Sequence, residues 1–118
     1  MIKLIVLIKR REDLTIEEFR DYYENRHAPL FQRTIPRAVR DAVKLYIQNH
    51  AVQMEQRTDP PYDCITEIGF DGTAGLMLWT QWYRGEEGKV LRDDEENFMD
   101  LRRRLIIVTT ELNIGAIP

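Results

Sequence analysis

The feature that most constrains the fold is the run IKLIVLIK at residues 2–9, which places apolar side chains at both even and odd positions. Side chains of a β-strand alternate between the two faces of a sheet, so this run predicts a strand that is covered on both faces. A chain of 118 residues is expected to form one domain, residues 1–118, around one core. Any active site must therefore be built within this small unit or shared with a partner chain.

The segment TIEEFRDYYENRHAPLF at residues 15–31 carries the signals of a helix start. Thr15 and Glu18 have the spacing of a capping box, in which each side chain accepts a hydrogen bond from the backbone of the other residue. Leu14 and Phe19 have the spacing of a hydrophobic staple across the same helix start. The sequence therefore predicts that a helix begins at Thr15.

The same helix turns a histidine toward its apolar side. With about 100° of rotation per residue, one stripe collects Ile16, Phe19, Tyr23, His27 and Leu30. Pro29 lacks a backbone N–H and disfavours helical geometry at the residue before it. We expect the regular helix to kink or stop around residues 26–29, where the open backbone leaves room for a pocket.

The rest of the chain predicts three strands and one more helix. Residues 39–53 alternate as a strand, with Val39, Val43, Leu45, Ile47 and Ala51 on one face and Lys44, Tyr46, Gln48, His50 and Val52 on the other. The later elements are a loop at 57–61, a strand at 62–71, a helix at 74–83, a loop with a short helical turn at 85–100 and a strand at 104–112.

This order of strand, helix, two strands, helix and strand is the split βαβ arrangement. It predicts an α+β fold of the ferredoxin-like kind, with a four-stranded antiparallel sheet and the helices on one face. The other face of that sheet would expose a large apolar area. Pairing of two copies face to face would cover it, so we expect a homodimer whose sheets enclose a barrel-like core, a dimeric α/β barrel.

Charge and composition exclude several classes of function. The net charge is −3, and the acidic residues 93–96 offset the basic run at 102–104, which argues against a nucleic-acid partner. The apolar run LIVLI is too short to span a membrane, and the single cysteine, Cys64, favours a reducing, cytoplasmic location. Neither metal-ligand spacings nor phosphate-loop or dinucleotide glycine patterns occur, so no metal and no cofactor are expected.

Four segments together resemble the EthD-domain proteins of the dimeric α/β-barrel superfamily. They are IKLIVLIKRREDLTIEEFRDYYENRHAPL, KLYIQNH, PYDCITEIGF and DEENFMD. The resemblance implies a ferredoxin-like homodimer with a small-molecule pocket between sheet and helices. Relatives include decarboxylases or dehydratases acting on polyphenolic polyketides, and similar chains include a muconolactone methylisomerase. It also implies that the histidine of the His-Ala-Pro motif, here His27, is a functional position.

Two histidines are candidates for catalysis. Imidazole as a chemical group titrates near neutral pH, which makes His27 a candidate general acid or base. A helix-terminal histidine that hydrogen-bonds a free carbonyl is the structural alternative. His50 shares its strand face with Tyr46 and Gln48, and this row can bind the oxygens of a phenolic or lactone ligand. The same row can instead pack against a dimer partner.

Other candidates have structural alternatives of their own. Asp63 and Glu67 lie on one side of their strand and can orient a histidine or hold a proton, although most strand carboxylates face solvent or an arginine. Tyr23 can donate a phenolic proton or line the core. Trp79 can form an aromatic wall for a planar ligand or pack its helix onto the sheet. Cys64 is expected to be a buried structural cysteine.

These residues predict a cofactor-independent enzyme that transfers protons on a cyclic or aromatic small molecule. His27 would be the acid or base, while His50, Tyr46 and Asp63 would position the substrate or stabilise an enolate-like charge. Decarboxylation, dehydration and isomerisation all pass through such an anion. Two alternatives remain: a cofactor-free oxidoreductase of the monooxygenase-like type acting on a phenol, and a non-catalytic ligand-binding accessory protein.

Overall fold

The computed structural model describes residues 1–54 and 59–117. The predicted loop at 57–61 therefore lies partly outside the described residues. The strands are β1 (Ile2–Ile8), β2 (Leu45–His50), β3 (Cys64–Phe70) and β4 (Leu105–Thr110). The helices are α1 (Ile16–Tyr22), α2 (Ala28–Thr34), α3 (Arg37–Ala42), α4 (Thr73–Arg84) and α5 (Lys89–Glu95), with a π-helical turn at Tyr23–His27 and a 3₁₀ turn at Glu86–Gly88.

The four strands form one antiparallel sheet in the order β2-β3-β1-β4. This is the split βαβ topology, and it confirms the predicted ferredoxin-like fold. In the register of the sheet, Leu4 of β1 lies opposite Ile68 of β3, which in turn lies opposite Tyr46 of β2. These side chains share the face that packs against the helices. Among the described residues, no helix has the length and apolar character needed to cross a membrane.

Two clusters of buried side chains lie between the helices and the sheet. The larger one contains Phe31, Ile35, Val39, Ile68, Phe70, Trp79, Trp82 and Leu91. The smaller one contains Ile8, Phe19, Tyr23, Cys64, Phe98 and Met99. Burial of this much apolar surface is the main favourable contribution to folding. The two clusters are separate, and both contribute to the walls of the cavity described below.

The predicted capping box at the start of α1 is present. The Glu18 N–H donates to Thr15 Oγ1 at 3.1 Å, and the Thr15 N–H donates to Glu18 Oε1 at 3.0 Å. The regular α-helix is interrupted close to residues 26–29, where a kink or stop was predicted. After Tyr22 the α-helical pattern changes to a π turn at Tyr23–His27, in which the Ala28 N–H donates to the Tyr23 carbonyl, and α2 continues through Pro29. A wider turn fits here because a proline ring clashes with the carbonyl four residues earlier.

The predicted strand at 39–53 is shorter than expected. Residues Arg37–Ala42 form helix α3, and β2 covers only Leu45–His50. Val39 is buried in the larger cluster, where it is part of a helix. Val39 and Val43 are four residues apart, and that spacing fits one face of a helix as well as one face of a strand.

The sheet face that points away from the helices is largely apolar and uncovered. We call it the outer face. Exposed side chains on it are Ile47 (38%), Ile65 (41%), Leu105 (51%) and Ile107 (50%). A polar contact also lies on this face, where Lys3 Nζ donates to Glu67 Oε1 at 2.8 Å. An apolar area of this kind is what the sequence predicts for a sheet that pairs with a second copy.

Candidate active site

A cavity of about 130 Å³ lies between the sheet and the helices. Its apolar walls come from β1, β3, β4 and from helices α2, α4 and α5, with ring walls formed by Phe31 and Trp79. The polar side chains that line it are Tyr23, His27, Tyr46, Thr66, Thr80, Tyr83, Arg84, Glu95 and Arg104. An apolar enclosure with a few convergent polar groups is typical of a small-molecule site.

His27 is buried in the wall of this cavity, with 3% of its surface exposed. Its Nδ1 lies 2.8 Å from Oδ2 of Asp94 on α5, while its Nε2 lies 3.9 Å from Oε2 of Glu95. Because the carboxylate accepts a hydrogen bond from Nδ1–H, it holds the ring in the tautomer whose Nε2 carries the lone pair. Nε2 then lies on the side of the ring where the cavity-lining Glu95 is found.

Aromatic rings fix the orientation of His27. It is the last residue of the π turn, and its ring centroid lies 4.8 Å from that of Phe98 and 5.6 Å from that of Tyr23. Phe98 is fully buried, so these rings leave the imidazole little freedom to rotate. The inward orientation of His27 that the helix periodicity predicted is therefore confirmed.

Asp94 is held ionised by its neighbours. Tyr22 Oη donates to Asp94 Oδ1 at 2.6 Å, and Asn97 Nδ2 donates to the same oxygen at 3.3 Å. Burial opposes ionisation of this carboxyl group, but the hydrogen bonds from Tyr22, His27 and Asn97 outweigh burial and lower its pKa. An ionised Asp94 can stabilise a positive charge that develops on the imidazole.

A second polar group in the cavity wall is built around Glu95. Glu95 is buried, and its Oε1 accepts hydrogen bonds from the Tyr83 hydroxyl and, at 3.0 Å, from Arg104 Nη1. Burial, followed by the nearby Glu95 charge, raises the pKa of Tyr83 to about 12. The Tyr83 phenol therefore keeps its proton at neutral pH and acts as a hydrogen-bond donor.

Three of the predicted substrate-binding residues meet His27 at the cavity. They are Tyr23, Tyr46 and Trp79. The hydroxyl groups of Tyr23 and Thr66 are hydrogen-bonded at 2.6 Å, and Gln48 Nε2 donates to Tyr46 Oη at 3.2 Å. Burial raises the pKa of both tyrosines, most strongly that of Tyr23, so both phenols stay protonated.

His50 does not line the cavity. Its Nε2 lies 2.9 Å from Gln48 Oε1, and its ring packs edge-on against Phe19 and Tyr23 at centroid distances of 6.2 and 6.0 Å. Burial, and secondly the charge of Arg20, lowers the pKa of His50. The strand face predicted for His50 is correct, but His50 is the last residue of β2 and lies beyond the reach of the cavity.

The two predicted strand carboxylates also lie elsewhere. Asp63 precedes β3, and its side chain is 1% exposed. It accepts hydrogen bonds from Arg10 Nη1 at 2.6 Å and from the Arg10 backbone N–H at 2.8 Å. Glu67 lies on the outer face, where hydrogen bonds from Lys3 and Asn49 lower its pKa. Arg10 therefore holds the Asp63 carboxylate, and the pleat of β3 turns Glu67 to the outer face, away from His27.

The carboxylates that do reach His27 lie in the acidic run at residues 93–96, a segment that the sequence marked only by its negative charge. The sequence did contain a pattern that places these carboxylates on the inward side of a helix. One helical face has the spacing of Leu91, Asp94, Glu95 and Phe98, and the two apolar members, Leu91 and Phe98, are buried. In the described part of the chain, no group of three or more histidine, cysteine, aspartate or glutamate side chains could hold a metal ion.

Comparisons with known proteins agree with this architecture. A family model described as the EthD domain matches residues 11–102. The chain is 25% identical to a solved EthD (ethyl tert-butyl ether D) family protein from Bacillus halodurans C-125. The match covers 95% of this chain and 99% of that protein, with a TM-score of 0.65. Comparison with curated proteins found no match.

Two further solved structures share the fold at lower identity. One is a dimeric ferredoxin-like protein from Thermobifida fusca YX, with 13% identity, a TM-score of 0.60 and coverage of 93% of this chain and 90% of that one. The other is a dimeric protein of ferredoxin-like fold from Bacteroides fragilis NCTC 9343, with 14% identity, a TM-score of 0.55 and coverage of 92% and 93%.

Proposed function

The chain belongs to the EthD-domain family, and from that premise we propose that it is a cofactor-independent enzyme that transfers protons on a small cyclic or aromatic molecule. One observation carries the proposal. His27 is buried in the wall of the cavity, Asp94 is hydrogen-bonded to its Nδ1, and its Nε2 lies on the side of cavity-lining Glu95. A histidine oriented by a carboxylate is a common general acid or base.

The proposed chemistry begins with removal of a proton from a carbon whose anion is conjugated with a carbonyl group. Nε2 of His27 takes this proton, and the ionised Asp94 stabilises the imidazolium that results. Negative charge then develops on the substrate oxygen. Tyr23 and Tyr46 keep their protons because burial raises the pKa of each, so their hydroxyl groups can stabilise that oxygen.

The cavity also limits the size of the molecule. An apolar cavity of about 150 Å³ takes up benzene, and the cavity here is of similar volume at about 130 Å³. A single ring packed against Phe31 and Trp79, whose own centroids are 5.3 Å apart, therefore fits the proposal best. Decarboxylation, dehydration and isomerisation of such a ring share the same anion.

The test measures proton transfer directly. 2(5H)-Furanone, a five-membered unsaturated lactone, is incubated with the protein in D₂O, and loss of its ring C–H signals is followed by proton NMR. We expect wild-type protein to accelerate exchange and His27→Asn to lose about 10²- to 10⁴-fold of that rate. His50→Asn is the matched control, because His50 lies outside the cavity. Equal exchange rates with wild-type protein and His27→Asn would refute the proposal.

The same samples distinguish the alternatives. Oxygen consumption with resorcinol, in protein free of flavin and metal, would favour the cofactor-free oxidoreductase. Binding of the lactone with the same affinity to wild-type protein and His27→Asn, with no exchange in either, would favour a non-catalytic ligand-binding protein.

We also propose that the chain functions as a homodimer paired through the outer face. Exposed Ile47, Ile65, Leu105 and Ile107 on this face would be buried by a second copy. The similar proteins from T. fusca and B. fragilis are dimeric.

Cys64 is buried, and burial raises its pKa to about 11, which suits an unreactive thiol. An unpaired thiol of this kind supports the proposal of a cytoplasmic location.

A further inference from the structure

The described side chains include one cation in the cavity wall whose charge is not neutralised by a neighbour. We infer, as an extension of the proposed function, that the molecule bound in the cavity carries a carboxylate group and that Arg84 binds this carboxylate. Arg84 is the last residue of α4, and its side chain is exposed while it also lines the cavity.

The other charged groups at the cavity are paired. Arg104 donates to Glu95 at 3.0 Å, and His27 is hydrogen-bonded to Asp94 at 2.8 Å. By contrast, the Arg84 guanidinium has no hydrogen-bond acceptor and no ion-pair partner among residues 1–54 and 59–117. Among the side chains that line the cavity, the charges of Arg104 and Glu95 cancel and His27 is neutral as the proposed base, so the positive charge of Arg84 remains. The Asp94 carboxylate lies behind His27 and is not part of the lining. A cavity of this charge favours an anionic ligand over a neutral one.

The arrangement of the wall shows how such a ligand would lie. Arg84 is exposed and His27 is 3% exposed, so Arg84 marks the open end of the cavity and His27 its interior. Between them the wall is aromatic and apolar, with Trp79 and Phe31. A ring would occupy this apolar part, and its carboxylate would point outward to Arg84. The reacting carbon would then face His27.

The guanidinium group suits a carboxylate for a geometric reason. Its N–H groups form a planar fork that can donate two parallel hydrogen bonds to the two carboxylate oxygens. A neutral amide offers one acceptor oxygen, so it can accept only part of this pattern. We therefore expect Arg84 to discriminate between two ligands of equal size that differ only in charge.

Benzoate and benzamide are the probes, because both carry one six-membered ring and differ in charge at neutral pH. Binding is measured by the intrinsic fluorescence of the protein, since Trp79 lines the cavity. We expect wild-type protein to bind benzoate about tenfold more tightly than benzamide, which is about 1.4 kcal/mol. Arg84→Gln should abolish this difference. Arg33→Gln, at an exposed arginine of α2 outside the cavity wall, should preserve it.

Three results would overturn the inference: equal affinity of wild-type protein for the two probes, a preference for benzoate that survives in Arg84→Gln, and no detectable binding of benzoate. Loss of the preference in both arginine variants would also overturn it, since a general effect of net charge would then explain the data. Failure of the proposed function would be seen in a different measurement, the proton exchange on the lactone. His27→Asn should keep the preference for benzoate, whereas proton exchange on the lactone depends on His27.

Discussion

Replacement of Asp94 by asparagine tests the hydrogen-bond network that orients His27. In the structure the Asp94 carboxylate accepts hydrogen bonds from Tyr22 at 2.6 Å, from His27 at 2.8 Å and from Asn97 at 3.3 Å. The amide of asparagine has nearly the same shape but only one acceptor oxygen and no charge. Its NH₂ group would face either the imidazole Nδ1–H or the other two donors.

The size of the effect follows from these contacts. A hydrogen bond to a charged group contributes about 1.5–3 kcal/mol, and the amide can replace part of the lost contacts. We expect Asp94→Asn to lower the free energy of unfolding by about 2 kcal/mol. With a urea dependence of about 1–3 kcal/mol per molar, the unfolding midpoint should fall by about 1 M. The protein concentration must be held constant, because a dimer unfolds in a concentration-dependent way.

The neighbouring Asp93→Asn variant is the matched control. Asp93 is exposed, and its carboxylate forms a surface ion pair with Lys89 at 2.7 Å, so loss of this charge should cost about 0.5 kcal/mol or less. A difference of less than about 0.5 kcal/mol between the two variants would contradict the proposed network.

The cost of Asp94→Asn should also depend on pH. The pKa of Asp94 in the folded protein is lowered from its ordinary value of 3.8. Its charge therefore stabilises the fold at every pH above 3.8, and this contribution disappears as the pH falls through the lower folded value. Wild-type protein and Asp94→Asn should thus converge in stability in acid. A cost that stays constant from neutral pH down to acid unfolding would refute the assignment of the effect to the carboxylate charge.

Two other predictions concern the core and the outer face. Phe98→Ala removes a fully buried ring whose centroid lies 4.8 Å from that of His27. It should lower the free energy of unfolding, measured in urea, by about 3–5 kcal/mol, and a loss below about 1 kcal/mol would contradict the packing role of this ring. Ile107→Lys on the outer face should shift the protein from dimer to monomer in analytical ultracentrifugation. Val90→Lys, at a residue of α5 with 45% exposure compared with 50% for Ile107, should leave the dimer intact. A monomeric wild-type protein, or an intact Ile107→Lys dimer, would contradict the proposed interface.

Local periodicity was sufficient to predict much of the fold. Three correct predictions depend only on residues a few positions apart in the chain: the capping box at Thr15, the inward direction of His27 and the strand face shared by Tyr46 and His50. Such residues are placed by the fixed geometry of a helical turn or a strand pleat. The same local patterns were ambiguous at Val39, where a spacing of four residues fits both element types.

The composition of the site was decided by tertiary packing. His27 and Asp94 are separated by 67 positions in the chain, and they meet only because α5 packs beside the π turn. From the sequence, Asp63 and Glu67 were candidate partners for a histidine. In the structure Arg10 binds Asp63, and the pleat of β3 turns Glu67 to the outer face, where Lys3 binds it. A carboxylate has the same chemistry in every sequence position, so only the packing of distant elements determines which one meets the imidazole. The sequence by itself therefore determined which residues turn inward, and the tertiary structure decided which of them meet.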